Sequence, residues 1–247
     1  MAGCAVLLAG ILTSGGPIRL TVAMKITEVT VDLRSTDAAE EFYNSVLGLP
    51  VRRGEGAVAV QVGRSRIVFR ESREAHGCHH FAFTIPSNKF SAAKRWLSER
   101  VEVMTKFGED EFEYDAGWNA RSLYFSGPEG SVLELIIRRD LDNQSVGDFT
   151  AADLECVSEV GVAVPDVLST VDMLATRAGV EAYGLTPRDR FSPVGNIDGL
   201  IILVSPNRTW FPADDLLSAQ SRILISATDA RPGAYPLGEL STLTVTV

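Results

Sequence analysis

Histidine is the side chain best suited to proton transfer and metal ligation near neutral pH, and it occurs here only at positions 76, 79 and 80. His79 and His80 are adjacent and open the run His79-His80-Phe81-Ala82-Phe83-Thr84-Ile85-Pro86. Successive strand residues face opposite ways, so only one of the pair can look into a given site. His80 falls on the polar side of the alternation. His79 is expected to be packed or hydrogen-bonded, and His76, beside Gly77, to be solvated. With histidine so restricted, a Ser/His/Asp triad would need an accident of folding. No G-x-S-x-G elbow, phosphate-cradling G-x-x-x-x-G-K-[ST] or dinucleotide-binding G-x-G-x-x-G is present. Cys4, Cys78 and Cys156 are too few and too scattered for a disulfide framework or a structural zinc site. They read as buried or neutral thiols of a reducing compartment.

The 247 residues carry 23 Lys+Arg against 32 Asp+Glu, a formal charge of −9, with 45% apolar and 22% charged residues. These are globular fractions, and a chain this long buries enough surface to fold without disulfide or metal. The acidic balance argues against a nucleic-acid partner, since neutralising phosphates needs a basic face. The apolar run Cys4–Leu12 is too short for a membrane helix of about 20 residues. No Lys or Arg precedes it, as a secretory signal would require. The expected location is the cytoplasm, with no membrane partner. Residues 1–23 are expected to form an N-terminal extension outside the fold, and Met24 is a candidate alternative start.

The elements from Met24 onward form a repeated pattern. In Ile26–Leu33, apolar Val29, Val31 and Leu33 alternate with Glu28, Thr30 and Asp32, which predicts a strand with one buried face. Ala38–Leu47 has helical spacing and stops at Gly48. Strands follow at Ala57–Val62 and Arg66–Glu71. A second copy starts at His79, with a helix striped by Phe90, Ala93, Trp96 and Leu97, then strands at Arg121–Phe125 and Ser131–Arg138. A third starts at Ser158, with a helix from Asp166 to Ala178 stopping at Gly179. Glu159 to Gly179 spans 20 residues, as does Glu28 to Gly48, which supports a true internal repeat and makes Glu159 the counterpart of Glu28. Asp198–Leu203 matches Glu129–Glu134, and further strands are expected at Arg222–Ala227 and Leu240–Val247.

The expected fold class is α+β: β-α-β-β-β units in a curved mixed sheet forming a cleft, with a third, divergent unit. The division is 24–140 for two units, 141–153 for a polar linker and 154–247 for the third unit with C-terminal strands. The strings Thr36-Asp37-(x)4-Phe42-Tyr43-(x)3-Leu47-Gly48-Leu49, His80-Phe81-Ala82-Phe83 and Arg121–Leu135 with its Pro128-Glu129-Gly130 turn resemble the vicinal oxygen chelate superfamily. That group includes glyoxalase I, bleomycin and fosfomycin resistance proteins, methylmalonyl-CoA epimerase and extradiol dioxygenases. The likeness covers Met24–Arg139 and, more weakly, Val157–Val204.

The resemblance implies metal ligands at Glu28, His80 and Glu134, all on the polar side of their strands. One imidazole and two carboxylates suit Fe(II), Mn(II), Ni(II) or Zn(II) and leave positions open for a substrate's adjacent oxygens. The ring-cleaving relatives carry histidine where this chain has Glu28, which weakens a dioxygenase reading. Glu71 is a candidate fourth ligand. In unit three Glu159 faces no closing glutamate, since Ile202 stands there, and it is a small-cleft or surface carboxylate. The expected catalytic residues are Glu134 and Tyr124. Arg121 and Asn119 are expected to bind substrate, with the Arg121 fork suited to a carboxylate. The implied activity is a divalent-metal-dependent lyase, isomerase or dioxygenase acting on a small oxygenated molecule, and a homodimer is compatible with it. The alternative is a member without metal chemistry that sequesters a small molecule in a pocket lined by Trp118, Phe112 and Tyr114. The cluster Asn207–Pro212 reads as core or interface aromatics.

Overall fold

A computed structural model describes residues 24–75, 78–115 and 117–247. The N-terminal extension, Cys4 and His76 lie outside the described residues.

Unit one comprises β1 (Lys25–Leu33), α1 (Thr36–Glu40, continued by π-helical turns over Glu41–Val46), β2 (Val51–Gly54), β3 (Ala57–Val62) and β4 (Ser65–Glu71). Unit two comprises β5 (His80–Thr84), α2 (Phe90–Ser98), β6 (Phe112–Tyr114), β7 (Ala120–Ser126) and β8 (Val132–Arg138). Unit three comprises β9 (Cys156–Ala163), α3 (Val167–Met173, continued over Leu174–Ala178), β10 (Phe191–Asn196) and β11 (Gly199–Val204). Asp166 caps α3 by accepting from the Ser169 N–H at 2.9 Å, and Gly179 ends the helix at φ +73°.

The last three strands, β12 (Ile223–Thr228), β13 (Gly233–Leu237) and β14 (Ser241–Val245), repeat the unit without its helix. β12 and β14 pair parallel with β13 on the outside, as β1 and β4 pair parallel with β3 beyond. The third unit's divergent ending is therefore a fourth, shortened copy.

The units do not pair in chain order. One seven-stranded sheet runs β13-β14-β12-β1-β4-β3-β2, joining unit one to the fourth copy. The other runs β10-β11-β9-β5-β8-β7-β6, joining units two and three. The helix-facing sides share one core, including Val29, Val31 and Phe69 from the first sheet, Tyr43 from the helix of unit one, and Phe81, Phe83, Leu123, Leu135 and Val160 from the second sheet. At about 1.5–3 kcal/mol for each large apolar side chain, this core is the main source of stability.

The second sheet is a curled half-barrel. Its two edges lie on β6 and β10, and the loops leading into β7 and β10 meet across it. The Trp118 and Tyr183 rings sit edge-to-face at 5.6 Å. Gly117, at φ +96°, lies so close to Gly184 that a Cβ there would come within 2.8 Å of its carbonyl oxygen. A side chain at position 117 would force the rim open.

Candidate metal centre

Register builds the site. Ala82 of β5 stands opposite Glu134 of the parallel β8 and opposite Glu159 of the antiparallel β9. Glu134 in turn stands opposite Tyr124 on β7. One row across the concave face therefore reads Glu159, Ala82, Glu134, Tyr124, with His80 two residues along β5 on the same face. The small Ala82 leaves both carboxylates room to converge. His80, Glu134 and Glu159 are all buried, and one ligand atom from each lies within 4.8 Å of the others.

Each group is held by its surroundings. His80 Nδ1 lies 3.0 Å from the Val132 carbonyl oxygen, which fixes Nδ1 as the donor and leaves the Nε2 lone pair facing the site. Burial lowers the His80 pKa to about 4; the Val132 carbonyl opposes that shift and the Arg208 charge adds to it. His80 is thus neutral at pH 7, and its 3.6 Å separation from Glu134 Oε2 is a contact rather than an ion pair. The Trp210 indole stacks on the His80 ring at a centroid distance of 5.1 Å. That stack depends on Gly161, where an added Cβ would sit 2.4 Å from the indole.

The carboxylates have unequal partners. Arg138, wholly buried, donates to Glu159 Oε1 and lies over the rings of Trp118 and Tyr183. Its Nε and Nη1 have no hydrogen-bond partner. Glu134 accepts from Ser122 Oγ. Burial, then the charge of Glu159, push Glu134 up to about 8, against the pull of Ser122 and Arg138. Burial also raises Glu159, opposed by Arg138. One guanidinium balances one carboxylate, and among the described residues no second cation pairs with Glu134, which holds a proton instead. A divalent ion would supply that second cation, and the neutral imidazole with two carboxylates is a donor set such an ion accepts.

The cleft above has a volume of about 510 Å³. Tyr114, Trp118, Tyr124, Phe191, Ile202, Trp210 and Phe211 form most of its wall. The Tyr124 hydroxyl lies 2.7 Å from that of Tyr114, and burial, then the charge of Glu134, hold it well above the usual phenol range.

Of the residues expected from sequence, the fold brings together His80, Glu134 and Tyr124. Glu28 does not join them. It lies on β1 of the other sheet, 28% exposed, and accepts from Arg66 Nε at 2.6 Å. Glu159 stands beside His80 and Glu134 instead, because unit two pairs with unit three. Glu71 is exposed at the end of β4 in the first sheet. Arg121 is three residues from Tyr124 on the same strand and so faces the opposite side. There it pairs with Glu111 and Glu113 and lies over the Phe90 ring at 4.4 Å. Asn119 is tied to Asp140 Oδ1 at 2.7 Å, at the end of the hairpin. His79 packs away from the cleft, with Nε2 3.3 Å from the Asp32 carbonyl oxygen. Sequence reasoning passed over Arg138 and Arg208. The signal for Arg138 was a charged residue at the inward parity of β8, in phase with Glu134.

No protein-family model matches this sequence, and no curated protein matches it. Solved structures do. A candidate dioxygenase from Bacillus subtilis superposes with a TM-score of 0.56 at 15% identity, over 91% of this chain and 86% of that one. A point variant of glyoxalase I from Zea mays gives 0.54 at 13% identity, over 92% and 94%. Among the described residues no helix is long and apolar enough to cross a membrane. Two mixed sheets, built from two β-α-β-β-β units and two shorter copies, with one sheet curled into a cleft, give this chain the glyoxalase/bleomycin resistance/dioxygenase fold.

Proposed function

We propose that this protein is a divalent-metal-dependent enzyme acting on a small oxygenated molecule in the cleft of the second sheet. The observation that carries this is the convergence of His80 Nε2 with carboxylate oxygens of Glu134 and Glu159 on the buried floor of an aromatic-walled cavity. A bound ion would act as a Lewis acid toward adjacent substrate oxygens. His80, Glu134 and Glu159 would hold the ion. Arg138 orients Glu159 and opposes the upward shift that burial gives its carboxyl, and the aromatic walls shield the site. Glu134, whose proton affinity burial has raised, is suited to take or return a proton at its carboxylate oxygen. The two-carboxylate donor set favours a glyoxalase-like lyase or isomerase over a ring-cleaving dioxygenase, which usually rests on two histidines and one carboxylate.

A second reading, a non-catalytic small-molecule binder, is favoured by Arg138, which already provides Glu159 with a counter-ion. Metal content separates the two. Protein purified without added metal, or soaked in Fe(II), Mn(II), Ni(II) or Zn(II), is expected to hold about one equivalent. That equivalent is lost in Glu134→Ala and Glu159→Ala and retained in Glu28→Ala, which removes only a surface ion pair worth about 1 kcal/mol or less. Absence of metal from the wild type after soaking, or its loss in Glu28→Ala alone, refutes the enzyme reading and its ligand set.

A further inference from the structure

The segment from β11 to β12 forms a strap across the mouth of the cleft. Asn207 N–H donates to the Ser218 carbonyl, Ser218 N–H to Arg208 and Trp210 N–H to Leu216, each at 2.8 Å. Trp210 anchors the strap on His80, with its Nε1–H donating to the Cys78 carbonyl at 3.2 Å. Phe211 sits edge-on to Phe112 at 4.7 Å and to Tyr124 at 5.5 Å. The strap therefore belongs to the cleft wall.

It also brings one cation into the cavity. Arg208 is half-buried, lines the cleft and lies over the Phe191 ring at 4.8 Å. Its side chain makes one hydrogen bond, from Nη1 to the Thr209 carbonyl at 3.2 Å. Among the described residues no carboxylate pairs with it, and its charged neighbour is a second guanidinium, Arg190. Arg138, the deeper arginine, is already committed to Glu159. A guanidinium offers a planar fork of donors, and one that is partly desolvated beside a like charge gains most from an incoming anion. Arg208 and His80 line the same cavity, so the anion would bind beside the candidate metal centre. The Phe191 ring under Arg208 and the Trp210 indole against His80 give this part of the cavity apolar, aromatic walls. Asp115 lies on the β6 side of the cleft, whereas the Glu113 carboxylate is turned to the outer face, where it pairs with Arg121 and Arg139.

We infer that Arg208 anchors a carboxylate of the substrate, whose flat apolar body lies along Phe191 and Trp210 with its oxygenated end toward His80, Glu134 and Glu159. This rests on reading the cleft as a substrate site, and it defines the substrate class as a planar or aromatic carboxylic acid. Arg208 takes the role that the sequence suggested for Arg121, which the strand parity turns to the other face.

The test uses a matched pair of probes, indole-3-acetate and indole-3-acetamide, titrated by calorimetry into the full chain freed of metal with EDTA. Removing the metal prevents a carboxylate from choosing the ion instead of the arginine. The acid is expected to bind about tenfold tighter than the amide, the size of one charge-assisted hydrogen bond in a half-buried setting. Arg208→Gln should abolish the preference and leave amide affinity and metal content unchanged, while Arg208→Lys retains part of it. Equal affinity for acid and amide in the wild type, a preference that survives Arg208→Gln, or no binding of either probe up to about 5 mM overturns the proposal. Failure of the metal reading alone would leave the acid preference intact, because this experiment contains no metal.

Discussion

Among the described residues Arg138 is the one cation on the floor of the cleft, and Arg138→Met removes it while leaving much of its volume filled. Arg138 is wholly buried and Glu159 is 3% exposed. Solvent therefore cannot replace the lost guanidinium, and breaking such a buried pair costs about 3–5 kcal/mol. The carboxyl has one escape, which is to take up a proton. That cost is set by how far the working pH lies above its ordinary pKa of 4.5. At about 1.4 kcal/mol per unit it comes to about 3 kcal/mol at pH 7 and less than about 1 kcal/mol at pH 5. For a chain of this size each kcal/mol shifts the melting temperature by about 2–4 °C. Metal-free Arg138→Met should therefore melt roughly 10 °C below wild type at pH 7 and only a few degrees below it at pH 5. Thermal melts followed by circular dichroism measure both. The double variant Arg138→Met/Glu159→Gln should recover most of the pH 7 loss, because no unpaired charge remains. A pH 7 melting temperature within about 2 °C of wild type would refute the reasoning. So would an equal gap at both pH values, which would show that packing rather than charge dominates.

Two further predictions concern the same floor. Glu134 holds its proton in the folded, metal-free protein up to about pH 8, whereas an ordinary carboxyl releases it near 4.5. Between those values the folded state binds the extra proton, so stability should fall as pH rises through the window. His80, lowered from 6.5 to about 4, works oppositely and costs stability as pH falls below 6.5. Below pH 6.5 the two contributions oppose each other, so urea melts without metal should be nearly flat from pH 5 to 6.5 and decline from there to pH 8, with a flatter profile when metal is present; a profile that rises toward pH 8 without metal contradicts the Glu134 assignment. Gly161→Ala drives a methyl into the Trp210 indole, so it should cost about 1–3 kcal/mol and red-shift the tryptophan emission as the strap lifts. An unchanged spectrum would mean that the stack on His80 does not need the glycine.

Much of this was legible in the sequence, for definite reasons. The alternation at Glu28–Leu33 and the equal spacing from Glu28 to Gly48 and from Glu159 to Gly179 expose strand, helix and stop directly. β2, β6, β10 and β13 are short or irregular and carry little periodicity. β10 contains Pro193 and β13 contains Pro236, which weaken a strand signal. Their places come from pairing with neighbours that read clearly. Parity identified His80 and Glu134 as cleft-facing, and the same rule applied three residues back from Tyr124 would have turned Arg121 away. Arg208 carried no signal, because its position depends on a strap that follows no regular period.

Which glutamate completes the site is a question of unit pairing, and periodicity does not encode pairing. Glu28 and Glu159 hold the same place in their units, so local pattern cannot choose between them. The choice falls to whichever first strand lies against β5. An antiparallel neighbour can follow β8 through the short segment from Asp140 to Glu155, and β9 takes that place with Ala82 opposite Glu159. β1 is then left to pair with β12, and its inward face carries Glu28–Arg66 and Asp32–Arg70 ion pairs instead of a buried imidazole. Among the described residues the first sheet has no counterpart of His80 or Arg138 on that face, and its carboxylates stay partly exposed and balanced by the more exposed Arg66 and Arg70. The second sheet buries two carboxylates and supplies one arginine. The same repeat thus yields a solvated charge ladder in one pairing and a cation-deficient pocket in the other, and only the second creates a reason to bind metal.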